Sequence, residues 1–204
     1  MPTSDEGTRP ATGGAVLRKQ VTDAITEAAF AEVAETGYAR TSMDAVARRA
    51  GVGKAALYRR WRSKQAMLAE LIRGKVADAL PPTPDTGALR TDLRELFATF
   101  RAQLDNPLIT RIGAGLLAEA THDAALDEVL QNGVAAPRRA AARAILRAAI
   151  DRGELPPGLD LELGTDLLIA PLAFRMLVLK SPIDDRYLET LTRAIEAALK
   201  AASS

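Results

Sequence analysis

The chain has 204 residues, 48% hydrophobic and 26% charged, so it can form a medium domain beside a small one and is too apolar for global disorder. It has no cysteine and a single histidine, His122, which removes most or all of the parts of a disulfide framework, a thiol nucleophile, a Cys/His zinc site and a Ser-His-Asp triad. No apolar run reaches the roughly 18 residues of a membrane span and the N-terminus has no apolar signal segment, so we expect a cytoplasmic protein that is not an enzyme and has no metal or cofactor.

The net charge of +1 hides an uneven distribution of charge along the chain. Residues 1–76 carry 13 Lys and Arg against 8 Asp and Glu, whereas residues 77–204 carry 14 against 18. The excess is concentrated between Arg40 and Lys64, where eight basic residues accompany one acid, Asp44. Such a segment can attract a polyanion, because each neutralised phosphate releases condensed counterions. It can equally be a solvated basic face, and charge alone leaves both interpretations open.

The spacing of apolar residues in the first 80 positions predicts four helices. Thr41 and Asp44 form the Thr-x-x-Asp pattern of a capping box at the start of the second helix, and Ser63 can cap the fourth. Glycines end the first two helices and prolines follow the fourth, as expected of helix stops. The four helices are expected at about residues 16–36, 42–50, 56–61 and 64–80.

Helical patterns also fill the remainder of the chain, and nothing in it has the alternation of a strand. The patterns cover about residues 86–104, 107–119, 123–151 with a possible break at 133–137, 160–180 and 184–201. The sequence therefore predicts an all-α protein of about nine helices. We expect a flexible arm at 1–14, a small helical domain at 15–62, a connecting helix at 63–80 and a larger helical domain at 81–204.

The turn between the second and third helices is the most informative local feature. Two short basic helices joined by Gly51-Val52-Gly53 have helix-turn-helix geometry, in which the second helix enters the DNA major groove and the first crosses the backbone. Gly51 allows the positive φ needed to leave the first of these two helices. In the second of them we expect Trp61 to be buried and Tyr58 to lie at the rim of the outer face.

Residues 25–72 contain a set of residues at characteristic spacings, namely Phe30, Gly37, Tyr38, Thr41, Ser42, Val46, Ala47, Ala50, Gly51, Val52, Lys54, Leu57, Tyr58, Trp61, Ser63 and Lys64. With these residues in register, the segment resembles the DNA-binding domain of the tetracycline-repressor (TetR) family. The resemblance covers about a third of the chain, and the all-helical remainder resembles the part that this family uses for ligand binding and dimerisation. It implies a homodimeric, ligand-responsive regulator that binds a (pseudo)palindromic double-stranded DNA operator, most simply a repressor released by a small molecule.

Position and resemblance together assign roles on the DNA-facing side. Lys54 and Ala55 are expected deepest in the groove, with Tyr58 and Arg60 on the phosphate backbone. Two small side chains in the first turn of the third helix leave base recognition to thymine methyl contact, to Lys54 or Arg59, or to DNA shape. The residues expected to contact DNA are Thr41, Ser42, Gly53, Lys54, Ala55, Ala56, Tyr58, Arg59, Arg60 and Lys64, of which Thr41, Ser42 and Lys64 are expected to clamp phosphates.

The C-terminal part supplies expectations for a ligand pocket and a dimer interface. The residues that could line a pocket are Phe97, Phe100, Arg101, Leu104, Leu116, Leu117, Phe174 and Arg175, with the two arginines as partners of an anionic ligand. The residues expected at the dimer interface are Leu168, Leu172, Met176, Leu188, Leu191, Ile195 and Leu199. Residues of either group could instead be ordinary core.

Two other functions remain open at this point. A helix-turn-helix protein can act mainly through protein partners or through non-specific organisation of DNA, in which case it would bind DNA with little sequence preference. An all-helical enzyme is disfavoured by the lack of Cys and by the single His, and the Gly51-x-Gly53 pair is a turn and not a nucleotide loop.

Overall fold

The computed structural model describes residues 13–79, 82–105 and 107–202. The arm expected at 1–14 falls outside the described residues except for Gly13 and Gly14, which belong to the first helix. The side chain of Leu104, expected at a ligand pocket, also lies outside what is described. Within the described ranges the protein is all-α, as predicted, and these ranges contain no strand.

Within the described residues, ten α-helices and two π-helical turns follow one another. Because a π turn joins α7 to α8 without interruption and a second extends α9, the described residues form nine continuous helical segments. The bounds are α1 Gly13–Thr36, α2 Met43–Ala50, α3 Lys54–Arg60, α4 Lys64–Ala79, α5 Leu89–Leu104, α6 Pro107–Ala120, α7 Ala124–Leu130, the first π turn Gln131–Ala135, α8 Ala136–Asp151, α9 Leu161–Ala173, the second π turn Phe174–Val178 and α10 Asp185–Ala201.

The break expected at 133–137 is absent from the structure, where the first π turn, Gln131–Ala135, keeps the helix continuous. Gly133 lies against α4, and a Cβ atom at this position would be 3.1 Å from Cγ of Arg73 and 3.7 Å from Ile72. A single extra residue in the helical turn lets the chain pass this close contact and continue as a helix.

The start of α2 differs from the expected capping box. Ser42 is the N-cap, since its hydroxyl accepts a hydrogen bond from the Ala45 amide at 3.2 Å. The Thr41 hydroxyl instead donates to the Gly37 carbonyl at 2.8 Å, which holds the turn between α1 and α2. The helix ends as predicted at Gly51, whose φ of 66° is left-handed.

Two hydrophobic cores hold the fold together, and their boundary does not fall at residue 81. The first core contains the apolar faces of α1 to α4, and it also takes in Ile112 and Leu116 of α6 and Leu126 and Leu130 of α7. The second core lies among α5, α8, α9 and α10. The small N-terminal domain therefore shares one core with part of the larger domain.

The seven residues expected at a dimer interface belong to the second core of the single chain. Leu168, Leu172 and Leu199 are completely buried, and Met176 and Ile195 are nearly so. Leu188 and Leu191 are partly buried against the same core. The expectation is therefore wrong for the five buried side chains, because they could not meet a second copy without unpacking their own chain.

Candidate DNA-binding surface

A small apolar frame fixes the relative positions of α2 and α3. Val46 and Ala47 on α2 and Leu57 on α3 are 0–1% exposed. The left-handed turn at Gly51 is closed by a 3.0 Å hydrogen bond from the Val52 amide to the Ala47 carbonyl. A short side chain at Ala47 lets the two helices approach, so the outer face of α3 is held rigidly outward.

The outer face of α3 is polar and basic. Tyr58 is 49% exposed and Trp61 only 3%, which confirms the sequence-based assignment of rim and core. The other exposed residues among the expected DNA contacts are Ser42, Gly53, Lys54, Ala55, Ala56, Arg59 and Arg60. The structure thus brings eight of the ten expected residues to the surface of one helix-turn-helix unit.

Asp44 connects the two helices on this surface, and sequence reasoning gave it no role beyond the cap. Its Oδ2 lies 2.5 Å from the Lys54 ammonium, and its Oδ1 accepts a hydrogen bond of 3.3 Å from the Tyr58 hydroxyl. The hydrogen bond from Lys54 is the main reason that the pKa of Asp44 lies below its usual value. The sequence signal was available, because Asp44 is the single acid among residues 40–64.

Arg60 is exposed but is engaged on the side of the domain. Its guanidinium donates to the Thr22 hydroxyl and to a Glu70 carboxylate oxygen, both at 2.7 Å, and lies 4.2 Å from the centre of the Trp61 ring. The other oxygen of Glu70 accepts from the Trp61 indole at 2.8 Å. A phosphate contact by Arg60 would have to compete with these partners.

Thr41 and Lys64 do not occupy the positions expected of phosphate clamps. Thr41 is 4% exposed, and its hydroxyl is used in the turn before α2. The Lys64 ammonium is half-buried, donates to the Tyr38 carbonyl at 2.7 Å and lies 4.2 Å from the centre of the Tyr38 ring. Desolvation lowers the pKa of Lys64. Both side chains stabilise the loop around Tyr38, so a phosphate contact by either would have to compete with these partners.

The residues expected to line a ligand pocket are not brought together. Phe97 and Phe100 are buried in the second core and Leu116 in the first, whereas Leu117 and Phe174 are about half exposed. Arg101 pairs with Asp185. Arg175 donates to the Pro182 carbonyl at 3.0 Å and lies 4.2 Å from the centre of the Tyr187 ring. Arg101 is therefore already paired with a carboxylate, whereas the partners of Arg175 are a carbonyl and an aromatic ring.

Two further properties concern the described ranges as a whole. No group of three or more acidic or His side chains within them could hold a metal ion. None of the helices described is both long enough and apolar enough to cross a membrane.

Comparison with known proteins matches both parts of the chain to one family. Residues 25–71 match the bacterial regulatory proteins of the tetR family, and residues 83–195 match the tetracyclin repressor-like C-terminal domain. The HTH-type transcriptional regulator YdeS of Bacillus subtilis (strain 168) is 33% identical over 82% of this chain and 84% of its own. The DNA-binding transcriptional repressor TetR of Mycobacteroides abscessus is 32% identical over 76% of this chain and 80% of its own.

Solved structures agree with these relatives. The TetR family transcription regulator SCO0332 has a TM-score of 0.67 and 30% identity, over 87% of this chain and 97% of its own. The flavonoid-responsive regulator FrrA has a TM-score of 0.72 but only 20% identity, over 90% and 97%, so it supports the fold alone. The relatives are regulators and not enzymes, in agreement with the composition. The chain belongs to the tetracycline-repressor (TetR) family and is a helix-turn-helix transcriptional regulator.

Proposed function

We propose that this regulator is a cytoplasmic repressor that binds a (pseudo)palindromic operator as a homodimer and leaves it when a small molecule binds. The observation that carries the proposal is the outer face of α3, where exposed Lys54, Tyr58 and Arg59 stand on a buried apolar frame. Basic and hydroxyl side chains on a rigid helix are the groups that contact phosphates and base edges in a major groove.

Two copies are needed because one α3 covers only one half-site. Paired recognition helices must reach major grooves about 34–36 Å apart. The outward side of α9 and the second π turn carries an apolar stripe in which Leu163, Phe174 and Val178 are 49%, 55% and 61% exposed. Neighbouring α10 exposes the small side chains of Ala194 and Ala197. An exposed apolar stripe and exposed small side chains on the neighbouring helix suit helix packing, so we place the second copy on these two helices.

Charge substitution on that stripe tests the dimer. Phe174→Glu and Val178→Glu should convert the dimer to a monomer, as measured by light scattering, because each places a carboxylate in an apolar contact. Val21→Glu is the matched control, since Val21 is also an exposed apolar residue but lies on α1. Variants that stay dimeric at the same concentration as the unmodified protein would refute this placement of the interface.

Arg138 on α8 is a better partner for an anionic ligand than Arg101, which is already paired with Asp185. Its guanidinium donates to the Gln103 side-chain oxygen at 2.8 Å and to the Val134 carbonyl at 3.1 Å. Desolvation lowers its pKa, and no carboxylate among the described residues pairs with it. A partly buried, desolvated cation with only neutral partners is completed by an anionic group, so we infer that the ligand carries one.

The contacts around Arg138 connect it to the helix that follows the DNA-binding surface. Val134, which accepts from Arg138, lies in the first π turn, and Gly133 beside it packs on Arg73 of α4. Helix α4 follows α3 directly, so a shift of the π turn would tilt α2 and α3. Ligand and DNA must then weaken each other's binding by equal free energies, typically about 1–3 kcal/mol.

Binding of genomic fragments with competitor DNA tests the proposal. A regulator that recognises an operator should bind one fragment at least about 10³-fold more tightly than unrelated duplex. The alternative, a protein that organises DNA or works through protein partners, predicts similar affinities for all fragments. Equal affinities across the fragments would refute the proposed function.

A further inference from the structure

Asp44 is an acidic residue on a surface that is proposed to bind a polyanion. It lies in the first turn of α2, its side chain is 43% exposed, and it contacts Lys54 and Tyr58 on α3. Phosphates repel a carboxylate, so its presence here weakens any purely electrostatic attraction to DNA. Beside DNA, this carboxylate is stabilised only where the duplex offers it a hydrogen-bond donor.

The ionisation state of Asp44 limits what it can recognise. The Lys54 ammonium keeps the pKa of Asp44 below its usual value, so the carboxylate is ionised and can only accept hydrogen bonds. In the major groove the donors are the amino groups of cytosine and adenine, and a carboxylate typically accepts from cytosine N4. The guanine paired with that cytosine presents O6 and N7, which accept from a lysine.

The first turn of α3 offers few other hydrogen-bonding groups for reading bases. Ala55 and Ala56 are exposed and have only methyl side chains, so Lys54 is the residue of this turn whose side chain can donate hydrogen bonds to base edges. A first-turn acid also offsets the helix dipole of α2. That role needs no partner on α3, whereas the Asp44 carboxylate is held by Lys54 and by Tyr58 across the helix-turn-helix unit.

We propose that Asp44 and Lys54 read one G·C base pair in each half-site, with Asp44 accepting from cytosine N4 and Lys54 donating to guanine O6 or N7. The inference rests on the proposed operator binding. Tyr58 is a positioning residue in this unit, because its hydroxyl donates to the second carboxylate oxygen of Asp44 and fixes its orientation. Thymine O4 at the cytosine position would face the carboxylate with a second acceptor, so the unit rejects that base.

Selection from randomised duplexes with the full-length protein and its variants tests the assignment. The unmodified protein should select a cytosine at one position of each half-site, by about 5- to 150-fold over other bases. Asp44→Ala should reduce the preference at that position by at least about fivefold, leaving only the part that Lys54 supplies, while other positions keep theirs. Asp44→Asn should shift the selection towards adenine, because a carboxamide both accepts from N6 and donates to N7.

A matched control and a chemical probe separate recognition from folding. Asp127 is likewise a first-turn acid of a short helix, but that helix, α7, packs on α4, α6 and the first π turn, so Asp127→Asn should select the unmodified sequence. N4-methylcytosine at the selected position should weaken binding of the unmodified protein and leave that of Asp44→Ala unchanged.

The outcomes distinguish this inference from the proposed function. If Asp44→Ala binds all duplexes more tightly by one common factor and selects the unmodified sequence, the carboxylate merely repels DNA and the inference is wrong. In that case operator binding stands. If the unmodified protein selects no sequence at all, the proposed function itself fails.

Discussion

The Tyr38 hydroxyl donates a 2.9 Å hydrogen bond to Oδ2 of Asp123, a residue 85 positions further along the chain. Tyr38 is 6% exposed in the loop between α1 and α2, and Asp123 caps α7 by accepting from the Leu126 amide at 3.0 Å. One carboxylate therefore anchors both the helix-turn-helix unit and a helix of the larger domain.

Removal of the Tyr38 hydroxyl tests that anchor. We expect Tyr38→Phe to lower the free energy of unfolding by about 1–2 kcal/mol, since the lost hydrogen bond joins a buried hydroxyl to a carboxylate. Tyr58→Phe is the control, because the hydroxyl that it removes lies at the surface, and it should change stability by less than about 0.5 kcal/mol. Urea unfolding monitored by circular dichroism measures both; equal effects of the two substitutions would contradict the anchor.

Acid should weaken the same junction. Hydrogen bonds from the Leu126 amide and the Tyr38 hydroxyl lower the pKa of Asp123. A lowered folded-state pKa stabilises the protein above the ordinary aspartate value of about 3.9, and that stability is lost as the pH falls through the folded value. The melting temperature of the unmodified protein should therefore fall more steeply below about pH 4 than that of Asp123→Asn. Parallel curves would show that Asp123 does not contribute.

A buried acid in the second core offers a larger effect. Asp92 is completely buried and accepts from the Thr86 amide and hydroxyl at 2.7 and 2.8 Å and from the Arg152 guanidinium at 2.9 Å. We expect Asp92→Ala to cost about 3–5 kcal/mol of stability, because it leaves these donors without their acceptor. Asp85→Ala removes an exposed partner of the same arginine and should cost no more than about 1 kcal/mol. Thermal unfolding compares the two, and similar losses would argue against the buried network.

Gly164 marks a close approach of α9 to its neighbours. A Cβ atom there would lie 2.9 Å from Leu146 Cδ1 and 3.3 Å from Leu199 Cδ2. We therefore expect Gly164→Ala to destabilise the fold by about 1–3 kcal/mol through overpacking. Gly115 lies within α6 with nothing near its Cβ position, so Gly115→Ala should instead stabilise by about 0.5–1 kcal/mol. Opposite signs in calorimetric melting temperatures are the expected result, and a neutral Gly164→Ala would contradict it.

Lys64 and Arg59 should differ in what they contribute to DNA binding. Because the Lys64 ammonium is bonded to the Tyr38 carbonyl, Lys64→Ala should lower stability by about 1 kcal/mol and leave the salt dependence of DNA binding unchanged. Arg59 is exposed on the outer face of α3, so Arg59→Ala should reduce the salt slope by about one. Fluorescence anisotropy titrations at several salt concentrations measure the slopes. A lower salt slope for Lys64→Ala would instead show that Lys64 contacts a phosphate.

The features that the sequence predicted correctly depend on local structure. Gly51 ends α2 because the turn needs a left-handed residue, and the apolar spacing around Leu57 and Trp61 determines which side of α3 is buried. The capping residue was wrong by one position, since Thr41 and Ser42 both carry hydroxyls and only the turn geometry selects between them. This error stays within one turn of helix.

A second kind of error concerns what covers the apolar face of a helix or pairs with a side chain. The stripe of Leu191, Ile195 and Leu199 indicated correctly that one side of α10 is covered, but spacing does not say whether the same chain or a second copy covers it. Lys64 shows the same limit, because its hydrogen-bond acceptor lies 26 residues earlier in the chain. Asp44 was missed because its contact with Lys54 depends on the angle between two helices.

The shared first core has a consequence for engineering. Leu126 and Leu130 of α7 and Leu116 of α6 complete the apolar interior beneath α1 and α4. A chimera that grafted only the first 79 residues onto another C-terminal domain would leave that interior open to water. The portable unit of this protein is therefore the helix-turn-helix domain together with α6 and α7, so exchange of C-terminal domains between such regulators requires matching two helices as well as the connecting segment.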